Sequence, residues 1–478
     1  MTFKFGDTIG IKIFGDKDSS TYGLDIKGFP EGLSVDFQKL QDLMDRRKLA
    51  KSRLSSEAQE DENVKFTSGI DAGITTGATI HVDIENKTND TYYEEFRNCP
   101  RPSHEDFSAY LKYGKDYTMA GGGLYSGKIT VPICISGGLC MQALEDRGIR
   151  IGSHIASIGN AQDIDLPLHP TPKFLETLKR QEIPVISNEA AEKMFEEILN
   201  ARKAKDSVGG VIECVVTNMP CGIGGPLFEG LDGKLSEALF AIPGVKGVEF
   251  GSGFKGSKLL GSQNNDPFYV AEGENSVTDV FTRSNNHGGV LGGISSGMPI
   301  VMRVAIKPTP SIGKAQDTVN LETLENTKIS IKKDLDPCMV LRAVPLVEST
   351  IALAIADAIF TDESKKRIEE KIKESSTTKL ELLRKEVDLI DDEMLRLFMK
   401  RMDIIKQVGV EKAKHSLPIE ARERESEILD RITRKSMLNG SDYAIYAREL
   451  FFNIMTIGKT FQQSVYDQAN IEKDETDE

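Results

Sequence analysis

The stretch GGVLGGISSGMPIVMRVAIKPTPS, residues 288–311, decides most of how the larger part of this chain is read. Glycine pairs this dense predict tight turns, or loops where backbone approaches a ligand, because glycine alone takes positive φ without steric cost. Pro299 to Ile306 then reads as a β-branched strand. At its exit, Lys307-Pro308-Thr309-Pro310-Ser311 sets a cation and hydroxyls on a proline-stiffened frame. That segment is either an ordinary strand exit or a site preorganised for phosphate.

The same grammar extends outward from this stretch. Glycine clusters recur at Gly121-Gly122-Gly123, Gly209-Gly210, Gly222 to Gly225 and Gly251 to Gly261, with β-branched runs such as Val211 to Val216 between them. The 42 glycines make up about 9% of the chain, against a usual ~7%. Helical spacing appears at Phe174 to Arg180 and Glu189 to Lys205, which makes this part α+β. Gly251 to Gly256 satisfies G-x-G-x-x-G after a strand-like run. Asn264-Asn265-Asp266-Pro267 then follows where a dinucleotide site needs a helix, so a plain turn is expected.

Composition bounds the rest. A chain of 478 residues asks for two or three domains. A net charge of −14 argues against nucleic acid as a partner. The longest apolar stretch, near Thr350 to Phe360, is interrupted by Asp357 and is far short of the roughly 20 residues of a membrane span. MTFKFGDTIGIK has no basic, apolar leader pattern, and the six cysteines form no C-x-x-C pair. These features predict a cytoplasmic protein with reduced thiols and no membrane partner.

After Thr361 glycine becomes rare and the chain reads as helices. We expect a first domain over 1–360, a charged linker over 361–378, a helical domain over 379–468 and an acidic tail over 469–478. An apolar stripe runs through Leu383, Val387, Ile390, Met394, Leu397, Ile404 and Val408. Arg401 and Lys412 stand on that stripe where hydrophobes are expected, on one face and about 16 Å apart. A single such cation reads as a snorkelling side chain. Two on one stripe call for anionic partners. In the last helix, Gly458 and Gln462 interrupt the stripe of Phe451, Ile454, Met455, Phe461 and Val465. Together these residues imply an all-helical pocket for a small dianion.

With Leu383-Arg384, Ile390-Asp391, Val408-Gly409, Arg424-Glu425 and Gln462-Gln463 added, residues 380–468 resemble the all-helical, type II chorismate mutases. The resemblance implies a cofactor-free Claisen rearrangement of chorismate to prephenate. Arg384 and Arg401 would clamp the two carboxylates, Lys412 and Gln462 would face the ether oxygen, and Arg424 and Glu425 would address the ring side. Arg384 lies about 100° off the Arg401 face, which suits an arginine that reaches a partner's pocket in a dimer. Two positions depart: Ala421 stands for a family Asp and Gly458 for a family Ser.

Three further segments of the first part are each ambiguous alone. Asp45-Arg46-Arg47-Lys48 with Lys51 and Arg53 is an exposed helix end or an anion site. Arg101-Pro102-Ser103-His104-Glu105-Asp106 places a histidine among carboxylates, for structure or for proton transfer. The third is Lys307 to Ser311. In order and spacing, together with Asp206-Ser207-Val208-Gly209-Gly210 and Arg342-Ala343-Val344-Pro345, they resemble chorismate synthase across residues 3–358. The resemblance implies a β-α-β sandwich that assembles as a tetramer. It implies loss of phosphate and a proton from 5-enolpyruvylshikimate 3-phosphate, with reduced FMN as cofactor and a flavin reductase or other source of it as partner. Arg47 and Arg53 match substrate-phosphate positions, His104 a family histidine, and Ser126, Gly292 and Lys307, Pro308, Thr309, Pro310 and Ser311 the flavin-contacting positions.

Departures from the family pattern are concentrated among charges. The family's Gly-Glu-Ser-His-Gly reads Gly15-Asp16-Lys17-Asp18-Ser19, so Asp18 replaces a catalytic histidine. Leu124 and Lys128 replace arginines, and Asp334 replaces an anion-binding arginine. Two readings follow: a bifunctional enzyme that makes chorismate and converts it to prephenate, or a mutase carried on a degenerate synthase scaffold.

Overall fold

The structure is a computed structural model that describes residues 3–15, 19–48, 63–85, 98–114, 125, 127–270, 280–331, 336–374, 379–437 and 440–474. The chain divides into two compact units, Met1–Arg367 and Ile368–Glu478.

The first unit holds two five-stranded antiparallel sheets. One contains β1 (Phe3–Phe5), β2 (Gly10–Phe14), β3 (Thr21–Lys27), β4 (Asn63–Ser68) and β5 (Ile80–Glu85), in the order β1-β2-β3-β5-β4. The other contains β6 (Arg150–Ile158), β7 (Ala161–Gln162), β8 (Gly210–Thr217), β9 (Val245–Phe250) and β10 (Ile300–Ile306), in the order β9-β10-β8-β6-β7. Strand β10 alternates buried and half-buried residues along its length, the period of a sheet with one face against a core.

Helices α1 (Phe37–Lys48), α2 (Asp106–Tyr113), α3 (Val131–Glu145), α4 (Pro172–Lys179), α5 (Asn188–Lys203), α6 (Leu231–Phe240) and α7 (Val340–Glu374) complete this unit. Helix α3 packs against β3 of one sheet and β6 of the other, which gives the β-α-β sandwich. The expectation that the longest apolar stretch falls far short of a membrane span is corrected here: among the described residues, 127–145 and 340–367 are helical, long and apolar enough to cross one, and they lie mostly or wholly inside this core. A helix sandwiched between sheets has no solvent face, so it is apolar all round. At Gly137 a Cβ would lie 2.2 Å from the carbonyl oxygen of Ser349, so only glycine lets α3 and α7 cross this closely. Asp357, the charge that interrupts the apolar stretch, accepts hydrogen bonds from the backbone N–H groups of Asp7, Thr8 and Ile9.

Two segments take a secondary structure that the sequence reading did not give them. Residues 361–374, read as part of a linker, continue α7 as helix. Their charges pair along and across it, Lys366 with Asp362 at 2.7 Å and Arg147 with Glu363 at 3.1 Å, which suits a helix surface. The acidic tail is helical as far as Asp474. The G-x-G-x-x-G segment is the turn expected of it. Gly251 has φ +52°, its carbonyl accepts from Arg303 Nη2 at 2.7 Å, and the helices that follow, Gly253–Gly256 and Gly261–Asn264, have four residues each.

The second unit is helical: α8 (Lys379–Lys414), α9 (Arg422–Ser436) and α10 (Ser441–Asp474). Helix α10 packs against both of the others. Among the described residues, Ala413, Ala444, Met455 and Val465 are its buried apolar side chains. At Gly409 a Cβ would lie 3.3 Å from the Gln462 carbonyl oxygen, which marks the close approach of α8 and α10.

Candidate active site

In the first unit the chemistry gathers around Arg101. The guanidinium is buried, 6% exposed, and grips Asp106 through two bonds, Nε to Oδ2 at 2.7 Å and Nη2 to Oδ1 at 2.8 Å. Its third nitrogen, Nη1, donates to Ser311 Oγ at 3.0 Å. The planar fork therefore ties the start of α2 to the end of the 307–311 segment. His104 Nδ1 lies 2.8 Å from Asp106 Oδ1 and 3.0 Å from Glu105 Oε2. Arg101 Nη2 is 3.1 Å from the same ring nitrogen; the nearer carboxylates make Nδ1 the protonated atom.

Burial and hydrogen bonding act against each other on the two carboxyls of this cluster. Burial alone would raise Asp106, but hydrogen bonds from Arg101 and His104 outweigh it and hold its carboxyl well below the usual range. Glu105 has less compensation, and burial pushes it up. Lys307 is pushed down, first by burial and then by neighbouring Lys246.

The 307–311 segment is held from several sides. Lys307 Nζ donates to the Ser103 carbonyl at 2.5 Å, and its backbone N–H donates to Gly244 at 2.9 Å. Ser207 Oγ donates to the Thr309 carbonyl at 2.6 Å. Thr309 Oγ1 is buried with no protein hydrogen-bond partner. A buried, orphaned hydroxyl beside a lysine suits an anionic ligand atom, so these residues fit the phosphate end of a flavin nucleotide.

The structure thus brings His104 together with Lys307 to Ser311. Other expected residues sit on elements of their own. Arg47 is buried in the last turn of α1, beside Arg46, which pairs with buried Glu348 at 2.7 Å. Lys128 is half-buried in the 3-10 turn Gly127–Thr130. Gly292, φ +61°, tips the hairpin 290–295, where a Cβ would meet open space. Asp18, Arg53, Leu124, Ser126 and Asp334 lie outside the described residues. Sequence reasoning missed Asp106, Ser207 and Gly244 as supports. Arg101 was noticed only as a motif letter, because its partner Ser311 lies 210 residues away.

In the second unit a cationic wall forms where α8 meets α10. Arg401 donates to the Ile454 carbonyl at 3.4 Å, and burial lowers its pKa. Gly458 makes room for it, since a Cβ there would lie 3.1 Å from Nη1. Lys412 Nζ donates to the Ile419 carbonyl at 2.7 Å and lies 3.4 Å from Oε1 of buried Gln462. Glu425 pairs with Lys459 at 2.9 Å. Arg424 is turned to the surface, where it pairs with Glu427 at 2.8 Å, and Arg384 is exposed on α8.

The sandwich with its arginine–histidine–carboxylate cluster, followed by a helical unit with a cationic wall, defines a two-part enzyme for small anions. Residues 9–360 match the family model of chorismate synthase, and residues 383–463 match that of chorismate mutase type II. The chain belongs to the chorismate synthase family and carries a type II chorismate mutase domain behind it, a lyase and an isomerase in one polypeptide. It is 42% identical over 354 residues to the chorismate synthase of Thermococcus kodakarensis, covering 74% of this chain and 96% of that protein. The chorismate synthase of Korarchaeum cryptofilum is 40% identical over 358 residues, with the same coverage. A crystal structure of chorismate synthase superposes with a TM-score of 0.59 at 25% identity, covering 77% of this chain and 99% of that one.

Proposed function

We propose that this chain performs two consecutive steps of aromatic amino-acid biosynthesis. The first unit removes phosphate from 5-enolpyruvylshikimate 3-phosphate to make chorismate, dependent on reduced FMN, and the second rearranges chorismate to prephenate. The observation that carries the reading is the joined cluster of Arg101, His104, Asp106 and Ser311, tied to the same 307–311 segment that holds the buried, unpartnered hydroxyl of Thr309.

Lys307, Thr309, Ser311 and Gly292, with Pro308 and Pro310 stiffening the frame, would hold the flavin. When bound, reduced FMN lends electron density to the elimination and helps accept the proton. The chain's own residues bind and orient. Asp106 fixes the His104 ring through Nδ1, so Nε2 is the atom that exchanges a proton. Arg101 offsets the buried carboxylate's charge. Arg47, Arg53 and Lys128 supply cations for the substrate's phosphate and carboxylates. Asp18 stands in the place of the family's other histidine.

In the second unit, Arg401 and an Arg384 from a partner chain would clamp the substrate carboxylates. Lys412 and Gln462 would donate to the ether oxygen as its charge builds, in a pocket that holds the reactive conformer. Arg424 reaches the ring side only by leaving Glu427. The assembly we favour is a cytoplasmic homotetramer whose mutase domains dimerise, supplied with reduced flavin by a reductase. The domains we assign are 1–360, 361–378, 379–468 and 469–478.

The test uses the full chain, reduced FMN and the phosphate substrate under anaerobic conditions, with chorismate and prephenate both assayed. Prephenate formed from the phosphate substrate is the expected result. Prephenate from added chorismate alone, with no flavin binding, would leave only the mutase.

A further inference from the structure

Helix α10 presents a cation that the family pattern described above does not include. Lys459 follows Gly458 and precedes Gln462 by three residues, so it stands beside the wall that holds Arg401 and Lys412. Its Nζ reaches α9 and lies 2.9 Å from Glu425 Oε2. The two side chains are 32% and 24% exposed, whereas those of Arg424 and Glu427 on the same stretch of α9 are each 65% exposed. The Lys459–Glu425 pair therefore borders the sheltered side of α9, and the Arg424–Glu427 pair faces water.

A carboxylate in a site for a dicarboxylate poses a physical problem. It repels the ligand, and the repulsion grows as water is excluded. Neighbouring cations are already committed: Arg424 to Glu427, and Lys412 to the Ile419 carbonyl and Gln462. Lys459 is the cation seated on Glu425.

We infer that Lys459 is a positioning residue of the mutase site, holding Glu425 Oε2 and cancelling that carboxylate's charge toward the incoming dianion. Oε1 is then left to accept a hydrogen bond from a substrate hydroxyl. The inference rests on reading the second unit as a chorismate mutase. Its consequence is specific: the lysine matters because the glutamate is there.

The test uses full-length Lys459→Gln, Lys459→Arg and the double variant Lys459→Gln with Glu425→Gln. Initial rates with chorismate are measured alongside calorimetric binding of an unreactive oxabicyclic dicarboxylate, with thermal midpoints as a check on folding. Lys459→Gln is expected to raise KM and the dicarboxylate Kd by about tenfold while kcat changes far less, the pattern of lost ground-state binding. Lys459→Arg restores most of the affinity. The double variant binds the dicarboxylate more tightly than Lys459→Gln alone, because no uncompensated carboxylate remains. An unchanged KM in Lys459→Gln, or a double variant no better than the single one, overturns the inference. If the wild type binds the dicarboxylate without turning over chorismate, the mutase reading fails and the binding series still decides the role of Lys459. If it does neither, both fall.

Discussion

Asp106 shows at the scale of one residue how much the first site depends on charge pairing. It is 2% exposed and receives both Nε and Nη2 of Arg101, which is itself buried. Asp106→Ala would strand that guanidinium, and breaking a buried pair from one side costs about 3–5 kcal/mol. The expected outcome is a marked fall in the thermal midpoint together with loss of chorismate formation. Because its folded pKa is lowered, Asp106 contributes its stability above the unfolded value of about 3.9. That contribution is lost as pH falls through the folded pKa. In the second unit, Gly458→Val would push Arg401 from its place, since even a Cβ lies 3.1 Å from Nη1. We expect kcat/KM for chorismate to drop on the order of 100-fold, the scale of an ångström-sized misplacement. Arg401→Ala and Lys412→Ala should each abolish prephenate formation. Retained activity in either would refute the pocket.

Among the elements, the second sheet carries an ionic ladder that no motif announced. His154 on β6 faces Glu213 on β8, Glu213 faces Arg303 on β10, and Arg303 faces Glu249 on β9, each directly opposite the next. The contacts are 2.9 Å from His154 Nε2 to Glu213, 3.2 Å from Glu213 to Arg303 and 2.5 Å from Arg303 to Glu249, while His154 Nδ1 bonds Asp163 at 2.9 Å. Burial pulls the imidazole pKa down, but hydrogen bonds to Asp163 and Glu213 outweigh it and raise it. A raised histidine contributes stability that is complete below its unfolded pKa of about 6.5 and is lost as pH rises through the folded value. The urea midpoint of the wild type should therefore decline above about pH 6.5. His154→Gln should flatten that decline; an equally steep profile in the variant would remove the ladder as its cause. Asp357 plays a comparable part for α7, accepting the N–H groups that open β2. Asp357→Ala should cost at least about 1–3 kcal/mol through unsatisfied backbone donors, read as a lower urea midpoint with an unchanged slope.

Across the whole molecule, each site is built from residues of its own compact unit. Full-length His104→Ala should lose chorismate formation and keep mutase activity on added chorismate, and full-length Arg401→Ala should let chorismate accumulate. Loss of both activities in either variant would contradict two separate sites. Much of this plan was legible beforehand, because it depends on local rules. Glycine pairs mark turns, β-branched runs mark strands, and cations on an apolar stripe mark a pocket, all within a few residues of one another. That 361–374 is helical was not legible, because charged residues at i and i+4, such as Asp362 and Lys366, suit a helix surface as well as they suit a connector. What the sequence determined by itself was the kind of most elements, the change of grammar near Thr361 and the residue types offered to both candidate sites. Only the tertiary structure decided which polar groups meet: Arg101 with Ser311, Lys459 with Glu425, His154 with Glu213. The reason is physical. A buried charge is stable only beside its partner, and that partner is chosen by strand register and helix crossing across tens to hundreds of residues, distances at which the order of letters carries no geometry.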